Sequence, residues 1–293
     1  MVVSVQKRIA KVILQDIAEG IDFHSELSPS WSTFSNFISF SKKKNLYDYQ
    51  EEALKNAIKI LYFYYQVAED YEEYEPPEAS GRRKIRLLEE YERRGLEQEL
   101  LDIRESRSKK IYEIFSKFFK AEGNSIPYKH LINRMSFWMA TGSGKTLVIV
   151  KLIEILNTLM ERKEIPLRDI LVLTCREDLR EKMYDYVKQY NEHNVLNIRV
   201  WSLKDFSKVK HGGVLPRTEN TVDVFLYRSD LISDEEKEKF IDYENYENYG
   251  KWYILLDEAH KGDKEESKRQ AFYSIMSRSG FLFNFSATFT HPM

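Results

Sequence analysis

The 293-residue sequence predicts an α/β fold with a mainly parallel sheet and an inserted, highly charged helical element. After Asn124, short apolar runs alternate with helical segments, which is the order that βαβ crossovers produce. Two of these runs, 170–173 and 253–256, are continuously apolar, as is typical of strands buried on both faces. The insertion is indicated by charge, because 17 of the 30 residues from 81 to 110 are Asp, Glu, Lys or Arg.

Composition excludes several classes of protein. Hydrophobic residues make up 42% and charged residues 31% of the chain, which does not fit a disordered protein. The single cysteine, Cys175, can form neither an internal disulfide nor a cysteine zinc site, and it favours a reducing compartment. The net charge of −2 gives no overall attraction to nucleic acid. With no apolar run of membrane-spanning length and no signal-peptide pattern, we expect a cytoplasmic protein without a membrane partner.

The first 45 residues are predicted to form an N-terminal helical and aromatic segment, with a helix over residues 1 to about 20. A single α/β domain is predicted to follow this segment, from 46 to 293. It begins with a long helix from Tyr47 to about Tyr74, which ends near Pro76 and Pro77 because proline disfavours helix continuation.

The helical insertion is predicted over about 70–125, as one or two charged helices that project as a hairpin. Its basic residues could form a contact face for nucleic acid or a partner: Arg82, Arg83, Lys84, Arg86, Arg107, Lys109 and Lys110. The alternative is a solvated face, since glutamates interleave with them and ion pairs among neighbours give the same pattern.

The remaining chain is predicted as alternating strands and helices. Strands are expected at 134–139, 169–174, 196–201, 222–227, 252–256 and 281–285. Helices are expected at 147–160, 176–190, near 234–243 and at 265–277.

The strongest motif is Ala140-Thr141-Gly142-Ser143-Gly144-Lys145-Thr146, between an apolar strand and an amphipathic helix. We call residues 140–146 the phosphate loop, because glycines and a helix start let backbone N–H groups surround an anion. In such a loop the lysine reaches the β- and γ-phosphates and the Thr146 hydroxyl binds Mg²⁺. The strict pattern has glycine at the position of Met139, and the alternative is a chance glycine turn.

An acidic pair, Asp257-Glu258, follows the buried strand at 252–256. Carboxyl ends of parallel strands meet at one edge of a sheet, where ligands bind. Asp257 can hold Mg²⁺ through water, and Glu258 can orient and deprotonate an attacking water. Taken alone, the pair could be a solvated loop start. Ser286-Ala287-Thr288 follows the next strand, and its hydroxyls could bind the acidic loop.

Together these motifs resemble motifs I, II and III of superfamily 2 helicases: Ala-Thr-Gly-Ser-Gly-Lys-Thr, Asp-Glu-Ala-His and Ser-Ala-Thr. Leu46-Tyr47-Asp48-Tyr49-Gln50 resembles the glutamine motif of that group, which implies that Gln50 reads the adenine edge. The Met-Ala-Thr-Gly-Ser-Gly-Lys-Thr and Phe-Ser-Ala-Thr-Phe-Thr segments are most similar to type III restriction enzyme Res subunits. The resemblance covers roughly residues 46–290, without about 70–125, and implies a RecA-like P-loop fold.

The resemblance also assigns roles. It implies ATP and Mg²⁺ as cofactors, nucleic acid as a partner with DNA favoured over RNA, and coupling roles for His260, Ser286, Ala287 and Thr288. Thr174, Arg176 and Arg228 stand where the family's backbone contacts to nucleic acid lie. The match there is imperfect, because Cys175 replaces the usual proline and Glu177 and Asp178 would repel phosphate.

We therefore expect the first RecA-like half of an ATP-hydrolysing helicase or translocase. We expect the second RecA-like domain, which supplies the arginine finger in that family, to be absent from this chain. The resemblance then implies a partner domain or subunit, and the isolated chain is expected to hydrolyse ATP poorly. The alternative is a non-motor, ATP-dependent regulatory or assembly module that docks through the inserted helices. A P-loop ATPase of another superfamily, such as a transporter ATPase, fits less well because Ser-Ala-Thr follows the acidic strand.

Overall fold

The computed structural model describes residues 12–76, 78–96, 102–106, 109–211, 219–259 and 268–287. Its N-terminal part contains helices α1 (Ile13–Glu19) and α2 (Pro29–Ser32) and an antiparallel pair, β1 (Ser39–Ser41) and β2 (Lys44–Asn45). This part packs onto the body, because Trp31 and Phe40 are fully buried in the same core cluster as the helices that follow. The predicted helix before Val12 lies outside the described residues.

The long helix predicted to end near Tyr74 is shorter in the structure. Helix α3 (Asp48–Tyr62) continues as a π-helix over Phe63–Ala68, and Glu69 is extended. The prediction of its end is wrong because the chain turns to meet Arg83, whose guanidinium donates to the carbonyls of Glu69 and Asp70 at 2.9 and 3.2 Å.

The charged insertion does not project as predicted. Helix α4 (Glu78–Arg93) buries Leu87, Leu88 and Tyr91 in the core cluster shared with α3. Strand β3 (Ile103–Arg104), helix α5 (Lys109–Ser116) and strand β4 (Ser125–Ile126) follow, with β3 antiparallel to β4. The described part of the insertion therefore covers the body rather than extending from it.

The predicted basic contact face is wrong at its centre. Arg83 is 1% exposed and pairs with Glu75, and it lies over the rings of Tyr65 and Tyr71. Lys84 is 7% exposed and donates to two backbone carbonyls. Basic side chains at these positions hold α4 to the body, because a buried polar group must find local hydrogen-bond partners. Arg107 lies outside the described residues.

A six-stranded sheet forms the centre of the structure, and every neighbouring pair of its strands is parallel. The strands are β5 (Arg134–Trp138), β6 (Asp169–Thr174), β7 (Asn197–Ser202), β8 (Thr221–Arg228), β11 (Trp252–Asp257) and β12 (Phe281–Ser286), and a separate pair is β9 (Ile232–Ser233) with β10 (Ile241–Asp242). The strand order in the sheet is β5-β12-β11-β6-β8-β7. The predicted α/β class is confirmed.

Both faces of the sheet are covered by helices. Further helices are α6 (Lys145–Glu161), α7 (Glu177–Asn191), α8 (Phe206–His211) and α9 (Lys268–Met276). Alternate residues of each strand point to opposite faces of the sheet. Tyr253 and Leu255 of β11 join the cluster with α3 and α6, whereas Ile254 and Leu256 join the cluster with α5 and α9. None of the helices in the described ranges is long and apolar enough to cross a membrane.

The helix predicted near 234–243 does not form. Residues 234–240 are exposed and provide no apolar stripe that could pack against the body. Ile241 and Tyr243 are buried around half-buried Asp242. This alternation suits the short strand β10, and the Asp242 carboxylate then accepts the Glu244 N–H at the start of a 3₁₀ turn.

Candidate active site

The phosphate loop connects the end of β5 to the start of α6. Gly142 and Gly144 have φ values of 81° and 80°, in the left-handed region that glycine adopts without strain. Helix α6 starts at Lys145 and runs for 17 residues, so its positive end and free N–H groups face the loop. The loop has the backbone arrangement that binds phosphate groups in other proteins.

The acidic pair lies at the same edge of the sheet. Asp257 is the last residue of β11 and is 4% exposed. Burial, and then the neighbouring Glu258 charge, raise the pKa of Asp257 to about 6, while the Lys145 charge opposes them. Glu258 has a φ of 57° and donates its N–H to Asp257 Oδ1 at 2.9 Å, so the chain turns sharply after the strand.

Lys145 joins the two motifs. Its buried side chain places Nζ 3.2 Å from Glu258 Oε1 and 3.4 Å from the Met139 carbonyl oxygen. Lys145 and Glu258 are more than a hundred positions apart in the sequence. The parallel sheet brings them together because β5 and β11 both flank β12. Cation and carboxylate thus meet at the carboxyl edge of the sheet, beside the phosphate loop.

The oxygen donors at this edge suit Mg²⁺. The half-buried Thr146 follows Lys145, and Asp257 is a buried carboxylate whose ionised form is disfavoured by burial. Mg²⁺ prefers hard oxygen ligands and usually takes only one or two from the protein, the rest being water and phosphate oxygens. A hydroxyl and one buried carboxylate fit that pattern.

The third motif lies between the first two. The Met139 N–H donates to the Ser286 carbonyl at 2.9 Å, and the Trp138 indole N–H donates to the Ala287 carbonyl at 3.2 Å. Ser286 is fully buried. His260 and Thr288 lie outside the described residues.

Gln50 and Tyr49, near the start of α3, contact the phosphate loop. Gln50 Nε2 donates to the Ser143 carbonyl oxygen at 2.7 Å, and the Tyr49 hydroxyl donates to the same oxygen at 2.8 Å. Gln50 was singled out by its motif. Tyr49 was missed, although a hydroxyl-bearing aromatic residue next to the motif glutamine was the available clue.

The nucleic-acid candidates lie at the same edge, at the ends of β6 and β8, where Thr174 and Arg228 are in register. Thr174 is buried, and its hydroxyl donates to the Arg176 carbonyl at 3.4 Å. Arg176 pairs with Asp178 at 3.0 Å and Arg228 with Asp230 at 2.7 Å. The structure brings the three residues together, but both arginines are already paired with carboxylates.

These features define a RecA-like α/β domain of the helicase superfamily 2 type. Residues 43–291 match the family described as type III restriction enzyme, res subunit. The chain belongs to that family and is a helicase-like ATPase motor domain. A search among curated proteins finds no match.

Proposed function

We propose that this domain binds ATP with Mg²⁺ and hydrolyses it in response to nucleic acid, with DNA favoured over RNA. The observation that carries the proposal is the contact of Lys145 Nζ with Glu258 Oε1 at 3.2 Å beside the start of α6. An anion-binding loop, a buried cation and a positioned carboxylate are the parts that phosphoryl transfer to water requires.

Each residue then has a distinct role. Backbone N–H groups of 141–146 hold the phosphate oxygens, and Lys145 neutralises the β- and γ-phosphates. Thr146 and Asp257 would hold Mg²⁺, which would supply positive charge against the phosphate oxygens. When Lys145 turns toward the phosphates, Glu258 loses its cation and is free to accept a proton from the attacking water. Ser286 and Ala287 accept hydrogen bonds from the end of β5, just before the phosphate loop. They transmit movement of the phosphate loop to the rest of the domain.

The nucleic-acid role rests on Arg176 and Arg228 at the adjacent strand ends. Their position beside the acidic edge supports a path for the phosphate backbone that senses the state of the ATP site. The alternative, docking of a regulatory module through the inserted helices, has less support because Arg83 and Lys84 are buried. Stimulation of ATP turnover by nucleic acid distinguishes the two functions.

The test measures ATP affinity and turnover with and without single-stranded DNA, duplex DNA and single-stranded RNA. Lys145→Ala should lower ATP affinity at least about ten-fold, because the triphosphate loses its lysine partner. Glu258→Gln should keep ATP affinity and lose on the order of 10²–10⁴-fold in turnover, the usual contribution of a general base.

The control is Lys188→Ala, which removes an exposed lysine from the last turn of α7 and should leave both quantities unchanged. Unaltered ATP affinity in Lys145→Ala would contradict the binding site. Turnover that no nucleic acid stimulates, in a protein joined to its second motor domain, would contradict nucleic-acid dependence.

A further inference from the structure

The segment between α2 and α3, residues 33–45, contacts both α6 and α7, and we call it the strap. Phe40 in the strap is fully buried, and its ring centroid lies 5.9 Å from that of Tyr190 on α7. Near the start of the strap, the guanidinium of Arg162, just after the end of α6, lies over the Phe34 ring at 5.3 Å. The strap therefore connects the two helices on the face of the sheet that α3 also covers.

Lys151 holds the strap to α6. Its side chain is 1% exposed, and its Nζ donates to the carbonyls of Asn36 and Ser39 at 2.9 and 3.3 Å. Asn36 has a φ of 53°, a left-handed conformation that asparagine tolerates better than most residues, so the strap turns here. The same Nζ lies 2.6 Å from Glu154 Oε2 and 5.9 Å from the centre of the Tyr190 ring. Lys151 thus joins the strap, α6 and α7 at one buried point.

The contacts of Lys151 differ in kind from the apolar packing around them. Apolar burial is non-directional, and packed helices can slide past each other by small shear movements. Hydrogen bonds and close ion pairs require a particular geometry. Burial lowers the pKa of Lys151 while the Glu154 charge opposes this change, so placing the amine here has a free-energy cost. A buried pair of this kind is better suited to fixing a register than to adding stability.

The two helices begin at the two sites of the proposed function. Helix α6 starts at Lys145 of the phosphate loop, and Arg176, a nucleic-acid candidate, is the N-cap residue of α7. The strands that precede these helices, β5 and β6, are separated in the sheet by β12 and β11. A shift of α7 on binding nucleic acid would therefore reach the phosphate loop through the contacts that hold α7 and α6 in register.

We propose that the strap holds α6 and α7 in one register and thereby couples nucleic-acid binding to ATP binding, with Lys151 as its positioning residue. This inference rests on the proposed function, because it concerns the regulation of the same ATP site. Lys151 contacts neither ligand and acts on ATP only through the position of α6.

The test measures the affinity of the Mg²⁺ complex of AMP-PNP, a non-hydrolysed ATP analogue, with and without single-stranded DNA in the full-length protein. The ratio of the two affinities is the coupling factor, which for linked sites is typically about 5- to 150-fold. Lys151→Met keeps an apolar side chain of similar length and removes the ammonium group. It should bring the coupling factor to within about two-fold of one, and leave the affinity without DNA within about three-fold of wild type.

A second variant separates coupling from stability. Lys151→Met leaves the Glu154 carboxylate buried without its cation, and should lower the unfolding temperature by about 5–15 °C. Adding Glu154→Gln removes that charge with a side chain of nearly the same shape, so most of the lost unfolding temperature should return. A purely structural role for Lys151 predicts that coupling returns with stability, whereas a positioning role predicts that coupling stays lost.

A milder variant tests the other end of the strap. Lys44 is half-buried, and its Nζ donates to Gln189 Oε1 of α7 at 2.7 Å and lies over the Tyr186 ring at 4.5 Å. Lys44→Met should keep the fold and lower the coupling factor by about two- to five-fold, the effect of one lost hydrogen bond. This variant decides the question even if both Lys151 variants fail to fold.

The matched control is Lys163→Met. Lys163 follows the end of α6 and pairs with Glu73 at 2.7 Å, but both side chains are exposed and neither residue belongs to the strap. Because exposed ion pairs contribute little, the unfolding temperature and the coupling factor should both match those of the wild type.

The outcomes separate the two claims. Loss of coupling that persists in the restabilised double variant supports the strap. A coupling factor that the Lys151 and Lys44 variants leave unchanged, or that recovers with stability, overturns this inference and leaves the proposed function standing. A wild-type protein that binds AMP-PNP equally well with and without DNA overturns the proposed dependence on nucleic acid, and this inference with it.

Discussion

At the scale of single residues, two glycines of the phosphate loop share a backbone conformation but not their surroundings. Both have φ near +80°. A Cβ on Gly142 would meet no atom within 4 Å, whereas one on Gly144 would lie 2.4 Å from Gln50 Nε2. The two positions therefore separate the cost of backbone strain from the cost of displacing Gln50.

We expect Gly144→Ala to be more destabilising than Gly142→Ala. Each substitution should lower the free energy of unfolding by about 1–2 kcal/mol, because it places a side chain in the left-handed region. Gly144→Ala should lose about 1–3 kcal/mol more, because the new methyl displaces Gln50 and breaks its hydrogen bond to Ser143. The measurement is the free energy of unfolding in denaturant.

The same comparison in a Gln50→Ala background checks the cause. The extra cost at Gly144 should disappear there, since no side chain remains to displace. Equal destabilisation by the two alanines in the wild-type background would contradict the contact.

The residues of the site differ in how far sequence could predict them. Lys145, Asp257 and Glu258 lie in short motifs whose chemistry depends on local geometry, so their meeting at one sheet edge could be predicted from strand order alone. Tyr49 acts on a carbonyl 94 positions away, and nothing local to Tyr49 indicates that contact. Their chemical roles stay predictions until the variants are measured.

At the scale of elements, helix α4 shows what charge patterns leave undetermined. The helix was predictable from the spacing of its apolar residues, but not which of its basic residues face inward. Lys84 Nζ donates to the carbonyls of His130 and Arg278 at 3.0 and 2.7 Å. Burial, and then the charges of Arg134 and Arg278, lower the pKa of Lys84 to about 7.

This burial predicts a pH-dependent stability. Between about pH 7 and the ordinary lysine pKa, the unfolded chain binds a proton at Lys84 that the folded chain does not, so stability rises with pH in that window. Below about pH 7 the cost of burying the charge is fully present. From about pH 7 to about pH 9.5, the wild-type chain should gain on the order of 3 kcal/mol relative to Lys84→Met.

The measurement is the free energy of unfolding of both proteins across this range. Neighbouring His130, whose own pKa is lowered by burial and then by Lys84 and Lys129, titrates below the window. Lys188→Met, at an exposed position, serves as the control and should follow the wild-type curve. Parallel curves for wild type and Lys84→Met would contradict a largely neutral Lys84 in the folded helix.

The strands were the most predictable elements, because continuous apolar runs such as β6 and β11 have one stable environment, a sheet covered on both faces. The segment at 234–243 was not, because its charges fit an exposed helix as well as a loop. Ile241 and Tyr243 are buried in the same cluster as residues of α9, and this packing favours the short strand and turn over a helix.

At the scale of the whole molecule, charge limits how nucleic acid can bind. The net charge is −2, so attraction must come from a local patch. The two arginines at the ends of β6 and β8 are paired with Asp178 and Asp230, and Arg228 Nη1 also lies 3.9 Å from Glu177 Oε2. Nucleic acid must therefore displace carboxylates to reach them, and we expect weak binding at physiological salt.

Freeing the two arginines should strengthen binding. The double variant Asp178→Asn with Asp230→Asn removes two competing charges while keeping side-chain volume. We expect higher affinity for single-stranded DNA. The slope of log affinity against log salt concentration should steepen by about one to two, because one or two more phosphates are neutralised.

The measurement is a fluorescence-anisotropy titration at several salt concentrations. The matched control, Asp185→Asn with Glu192→Gln, makes the same change in net charge at exposed positions in the middle of α7 and just after its end. If the control raises affinity as much, overall charge rather than the paired arginines governs binding. Adding Arg228→Ala to the first double variant should remove the part of the gain that Arg228 contributes and leave the part that comes from Arg176.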